Sequence, residues 1–181
     1  MGGSYGIVAA GSGPVTNTPS LQWFAIQTRY RFEKRVAAQL NHKNIPVYLP
    51  LRTECHSWSD RQKALTIPLF PGYAFVHISP SRDAWQPVLQ TAGLIGFVSF
   101  GELVVAVPAK QISDLQLLLQ QKVPFSLYPF VPAGRRVRIR GGCLDGLEGV
   151  LQHEKGKLVI SVESIQRSVA IEMQGYEVEL A

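Results

Sequence analysis

Cysteine is nearly absent from this chain: Cys55 and Cys143 are the two in 181 residues. A disulfide framework needs more than that, and two free thiols suit a cytoplasmic protein. Metal-binding spacing is missing as well. His42, His56, His77 and His153 are scattered, and the adjacent pair Cys55-His56 is poor chelate geometry, so no metal site is expected. No apolar run approaches the roughly 20 residues of a membrane span, which leaves a soluble chain as the expectation. The first twenty residues lack a basic start and a long apolar stretch, so they read as a disordered tail over 1–20 and not as a signal peptide. Neither GxGxxG nor GxxxxGK occurs, no Ser/His/Asp or Cys/His arrangement has recognisable context, and paired carboxylates are missing from positions where a cleft would need them. Neither an enzyme nor a bound cofactor is expected.

Acidic residues are also scarce in one part. The net charge is +5, and all of it falls within residues 21–122, with eleven Lys/Arg against six Asp/Glu; residues 123–181 hold seven of each. A basic excess confined to one region suggests nucleic acid or an acidic partner there, with ordinary solvation as the plain alternative. With 46% apolar residues, the chain has enough to build one or two small cores.

Two patterns divide the chain. "LQWFAIQT" (21–28) reads as a strand, and Phe32, Val36 and Leu40 with Ala37 give "RYRFEKRVAAQLNHKN" an amphipathic helix whose other face carries Arg31, Lys34, Arg35 and Ala38. "IPVYLPLRTE" reads as an edge strand limited by Pro46 and Pro50, and "CHSWSDRQKAL" as a polar hairpin tip or loop. "TIPLFPGYAFVHIS" reads as strand with Pro71-Gly72 inside it, and Ser79 and Pro80 as the start of a helix that Pro87 interrupts or ends. "GLIGFVSF" and "LVVAV" are further strands, and Pro108 opens a last helix marked by Ile112, Leu115, Leu118 and Leu119. Residues 21–122 therefore predict an α+β domain, an antiparallel sheet with packed helices. Residues 123–134, with three prolines, read as an extended linker, and 135–181 as five short alternating strands with glycine turns, a small all-β SH3-like barrel.

The stretch "RRVRIRGGCLDGLEGVL" (135–151) resembles a KOW motif, with Gly149 as the hallmark glycine and Cys143 where the pattern often has proline. "WFAIQTRYRFEKRVAAQL", "PLFPGYAFV", Trp85, "VLQTAGLIGFV" and the Pro-led helix at 108 resemble, in that order, the N-terminal domain of the NusG transcription-elongation-factor family. The polar "HSWSDRQKALTIPLFPGY" is most similar to the specialised UpxY and RfaH type of operon-specific antiterminator, whereas Trp85 is more like the general factor. The resemblance implies an N-terminal domain that grips the clamp helices of the large RNA polymerase subunit and faces upstream and non-template DNA. It also implies a KOW domain that recruits a ribosomal protein or the Rho terminator.

By this resemblance the polymerase-binding patch centres on Phe70, which Pro71-Gly72 is expected to turn outward, with Pro71, Tyr73, Trp23 and Phe97 around it. The plain alternative makes Phe70, Tyr73 and Phe75 core. Arg29, Tyr30, Arg31, Lys34 and Arg35 are the DNA-facing candidates: cations track phosphates and Tyr30 can stack a base, or else this is a solvated helix face. Arg136, Arg138 and Arg140 share one face of a strand. They either bind RNA or pair across strands with Glu163, Glu172, Glu177 and Glu179, and the zero net charge of that half favours pairing. The expected protein is a monomeric, cytoplasmic transcription elongation or antitermination factor. The alternative is a KOW-type RNA- or ribosome-binding module with no polymerase role.

Overall fold

The computed structural model describes residues 20–58, 61–132 and 134–181, so the tail expected over 1–20 lies almost wholly outside the described residues. The elements run β1 (Gln22–Thr28), α1 (Glu33–His42), β2 (Val47–Tyr48), β3 (Leu51–Trp58), β4 (Arg61–Pro68), β5 (Tyr73–Ile78), α2 (Arg82–Leu89), β6 (Leu94–Phe97), β7 (Ser99–Phe100), β8 (Leu103–Val104), β9 (Ala106–Val107) and α3 (Ala109–Gln120). They continue with β10 (Ser126–Tyr128), β11 (Arg136–Arg140), β12 (Glu148–Gln152), β13 (Lys157–Val162), β14 (Arg167–Glu172) and β15 (Glu177–Leu180).

The first sheet has the order β2-β5-β1-β6, with β9 also on β1, and its pairings are antiparallel. Strand periodicity explains why β1 and β5 read as unbroken apolar runs: both faces of the sheet are covered. Phe24 and Ile26 of β1 and Ala74, Val76 and Ile78 of β5 pack with Val36 and Leu40 of α1 and Val88 of α2. Ala25 and Phe75, on the opposite face, join Ile112, Leu115 and Leu118 of α3. Each helix thus buries its apolar stripe on a sheet face, as the spacing requires.

The second sheet has the order β10-β14-β13-β12-β11-β15 and forms the all-β C-terminal part. Gly149 faces the carbonyl of Val159 so closely that a Cβ there would lie 2.6 Å from that oxygen, which is why glycine occupies the position.

Several local expectations change. The stretch expected to be a linker contributes β10, which pairs Ser126 with Ala170 and Tyr128 with Ser168. The polar segment expected as a hairpin tip or loop belongs to a hairpin, whose arms β3 and β4 pair in register from Leu51↔Pro68 to Trp58↔Arg61. Ser81, not Ser79, caps α2, its Oγ accepting from the Ala84 amide at 3.3 Å, and Pro87 lies within that helix. Pro71-Gly72 is not inside a strand. It is the turn that joins β4 to β5, closed by the Tyr73 amide donating to the Phe70 carbonyl at 3.1 Å. Proline followed by a glycine at φ +84° suits a type II turn.

Candidate functional site

The Pro71-Gly72 turn is fastened from two sides. The Gly72 amide donates to the Glu33 carboxylate at 2.7 Å, and the Gly72 carbonyl accepts from the Thr28 amide at 2.8 Å. Glu33 begins α1 and is 3% exposed, so the aromatic turn and the basic helix start are held as one unit. Around this turn Pro71 is exposed and Tyr73 half-buried. Trp23 stacks on His77 with centroids 4.6 Å apart and meets Tyr48 edge-on at 6.4 Å. Phe70 does not face outward as expected: it is 2% exposed. The turn reverses the chain at Phe70, so this ring follows Leu69 into the cluster that Trp23 and Tyr73 flank. Phe97 is not brought to them. It packs on the other sheet face, against Trp85 at 5.2 Å and Phe24 at 6.2 Å.

The cluster that takes in Phe70 crosses into the barrel, where Val137, Ile139, Leu144, Leu158 and Ile160 belong to it. Helix α3 makes the polar part of this junction. Gln111 Oε1 accepts from the Glu163 amide at 3.2 Å, and Lys110 Nζ donates to the Gly146 carbonyl at 2.7 Å. Asp114 is 4% exposed, pairs with Lys110 and hydrogen-bonds the Glu148 backbone. Burial holds its pKa above the ordinary carboxylate value, against the lowering effect of Lys110 and these hydrogen bonds. A cavity of about 100 Å³ lies at this junction between Lys110, Asp114, Arg136 and Glu163. Sequence periodicity marks α3 but not Gln111 and Asp114, whose barrel partners Glu163 and Glu148 lie tens of residues away.

Arg29, Tyr30, Arg31, Lys34 and Arg35 are all exposed. Arg29 leaves β1 with its amide on the Gly93 carbonyl at 2.8 Å. Tyr30 is 70% exposed, and the Arg31 guanidinium carbon lies 5.4 Å from its ring centroid. Arg31 has φ +65°, a left-handed conformation that costs a non-glycine residue on the order of 1 kcal/mol. Lys34 Nζ reaches the Thr66 carbonyl at 2.5 Å, and the Arg35 guanidinium sits 5.7 Å from the Phe32 ring. Between this helix start and β4 runs a groove of about 300 Å³, walled by Tyr30, Lys34, Ile67, Pro68 and Pro71.

On the barrel the three arginines are paired. Arg138 binds Glu148 at 2.7 Å, Arg140 binds Glu179 at 2.5 Å, and Arg136 lies 3.8 Å from Glu163. Hydrogen bonding to Glu148 and Glu179 raises the pKa of Arg138 and Arg140 respectively. Among the described residues no group of three His, Cys, Asp or Glu side chains is placed to hold a metal, and no helix is long and apolar enough to cross a membrane.

Residues 21–116 match the family model described as "Transcription termination factor nusG". The chain is 29% identical over 170 residues to the transcription termination/antitermination protein NusG of Lactococcus lactis, covering 87% of this chain and 91% of that protein. It is 24% identical over 182 residues to the protein of the same name from Escherichia coli, covering 92% and 100%. A solved structure described as "Domain interaction in Thermotoga maritima NusG" superposes with TM-score 0.51 at 20% identity, covering 87% of this chain and 97% of that one, a likeness of fold.

Proposed function

The chain belongs to the NusG family of transcription termination and antitermination factors, and from that premise we propose that it travels with elongating RNA polymerase and suppresses pausing or termination. The N-terminal domain grips the clamp helices of the large subunit through the face bearing Trp23, Phe70 and Tyr73. The adjoining edge from Arg29 to Arg35 follows upstream and non-template DNA. The barrel recruits a second partner, a ribosomal protein or Rho, at the high effective concentration that tethering gives. The protein acts as a cytoplasmic monomer, and its long β3–β4 hairpin suits an operon-specific factor of the UpxY or RfaH kind.

The observation that carries this reading is the Glu33–Gly72 hydrogen bond, which joins the aromatic turn to the start of the basic helix, so protein-binding and DNA-binding surfaces move as one body. Because Phe70 is buried in a cluster shared with barrel residues, the barrel leaves this face when polymerase takes it. The KOW-only alternative is less well supported, since Arg138 and Arg140 are already engaged by carboxylates.

The experiment is retention of the full chain on purified core polymerase, with an isolated clamp-helix fragment as competitor. The fragment should abolish retention, and Tyr73→Ala, which removes a ring packed against the shared apolar cluster, should weaken it even at temperatures where the variant remains folded. Retention that the fragment leaves untouched would refute the clamp assignment.

A further inference from the structure

The segment that joins the two domains is not free chain. Helix α3 ends at Gln120, and β10 begins at Ser126 as the outermost strand of the barrel sheet, beside β14. Ser126 faces Ala170, Leu127 faces Val169 and Tyr128 faces Ser168. The Tyr128 ring lies near two ammonium groups, with Lys155 Nζ 5.7 Å and Lys157 Nζ 6.0 Å from its centroid. Beyond β10 the chain runs along the junction: Val131, Pro132 and Gly134 wall its cavity together with Val150 and Val159 of the barrel and Lys110 and Asp114 of α3. Gly134 lies so close to the barrel that a Cβ there would come within 2.3 Å of the Val150 Cγ1. The strand is short for a physical reason. Pro124 and Pro129 flank it, and proline has no amide to give to a ladder. Leu127 is 49% exposed, so little apolar area holds the strand down. Three paired residues at a sheet edge open far more readily than the barrel behind them.

We propose that β10 is a releasable strap that sets how far the barrel travels from the N-terminal domain. With β10 on β14, only residues 121–125 connect α3 to the barrel, a reach of about 17 Å at 3.3–3.6 Å per residue. With β10 released, residues 121–133 all become tether, and the reach grows to about 45 Å. The three prolines of this segment keep the released chain extended, so the added length becomes added distance. The effective concentration of a tethered domain falls roughly as the −3/2 power of tether length. Releasing the strap therefore dilutes the barrel at α3 about fourfold. The strap governs both how far the barrel reaches and how readily it returns. The inference rests on the reading that the barrel parts from α3 when polymerase takes its face, and it adds that this parting has two lengths.

The test compares two insertions of the same Gly/Ser pentapeptide into the full chain, one after Lys122 and one after Pro129. Both lengthen the linker equally, but the first lies between α3 and the strap and the second lies behind the strap. Nitroxide probes at two exposed positions, Glu102→Cys and Gln174→Cys, report the distance between the domains by pulsed electron paramagnetic resonance, in a chain whose own cysteines are replaced by serine. Lys110→Ala/Gln111→Ala deletes two contacts to the barrel backbone and serves as the background that populates the parted state. There the insertion after Lys122 should widen the distance distribution by up to about 17 Å, and the insertion after Pro129 should leave it unchanged. Leu127→Pro, which breaks the strand, should make the two insertions equivalent and raise the ratio of parted to docked chains about fourfold. Equal widening by both insertions without Leu127→Pro would show a linker that is not strapped and would overturn the proposal, while loss of polymerase retention to the clamp-helix fragment would still support the proposed function. A chain that stays docked in every variant overturns the strap too, and with it the departure of the barrel from that face.

Discussion

Replacing Glu33 tests the joint between the two surfaces directly. Its carboxylate is 3% exposed and accepts the Gly72 amide at 2.7 Å. In Glu33→Ala the amide of a half-buried turn loses a charged acceptor, and hydrogen bonds to charged groups contribute about 1.5–3 kcal/mol. Loss of an acidic residue from the first turn of α1 adds a few tenths of a kcal/mol. A total near 2 kcal/mol corresponds to a fall in melting temperature on the order of 10 °C for a domain of this size. Glu33→Gln keeps an acceptor of nearly the same reach and should lose roughly half as much. Thermal unfolding followed by far-UV circular dichroism, backed by urea titration, measures both. Equal stability of Glu33→Ala and wild type would refute the claim that this contact fastens the turn. In polymerase retention, Glu33→Ala should weaken binding even at temperatures where the chain remains folded, because the turn carrying Phe70 and Tyr73 loses its anchor.

Three other outcomes are expected. Asp114 has its pKa raised in the packed state, so the packed chain holds this proton more tightly than the unfolded one. The stabilisation this brings is full below the ordinary carboxylate value of 3.8 and is lost as pH rises through the raised one. A pH series of melting temperatures should show that fall in wild type and not in Asp114→Asn. Gly149→Ala should destabilise the barrel by about 1–3 kcal/mol in urea unfolding, because its Cβ would meet the Val159 carbonyl at 2.6 Å. Replacing Arg136, Arg138 and Arg140 together by alanine should leave filter-bound RNA unchanged, since carboxylates already occupy them; a marked loss would revive RNA binding by the barrel.

The parts of this molecule that sequence made legible are those set by local periodicity. Val36 and Leu40, and Ile112 and Leu115, lie one helical turn apart or nearly so, and they face the sheet as that spacing demands. In β11 buried and exposed positions alternate, with Val137 and Ile139 pointing inward, whereas β13 and β14 carry runs of consecutive buried residues. The fate of Phe70 was not legible, because it depends on whether α3 and the barrel cover its sheet face, a matter of contacts between distant segments. Phe97 lies on the opposite sheet face from Trp23 and Tyr73, a placement set by the register of its short strand on β1, which its own sequence does not announce. Ser126–Tyr128 looked like linker because three residues between prolines carry too little pattern to announce a strand, and only pairing with β14 makes them one.

The junction between α3 and the barrel has a consequence for how the chain can vary. Lys110, Gln111 and Asp114 address the Gly146 carbonyl, the Glu163 amide and the Glu148 backbone, all main-chain groups. The side chains at barrel positions 148 and 163 can therefore be exchanged while these bonds persist. In these polar contacts the helix supplies the side chains and the barrel its main chain, while Val137, Ile139 and Leu158 of the barrel join the apolar cluster beside them. Different barrel surfaces, fitted to different partners, can be mounted on the same helix without redesigning the way they park.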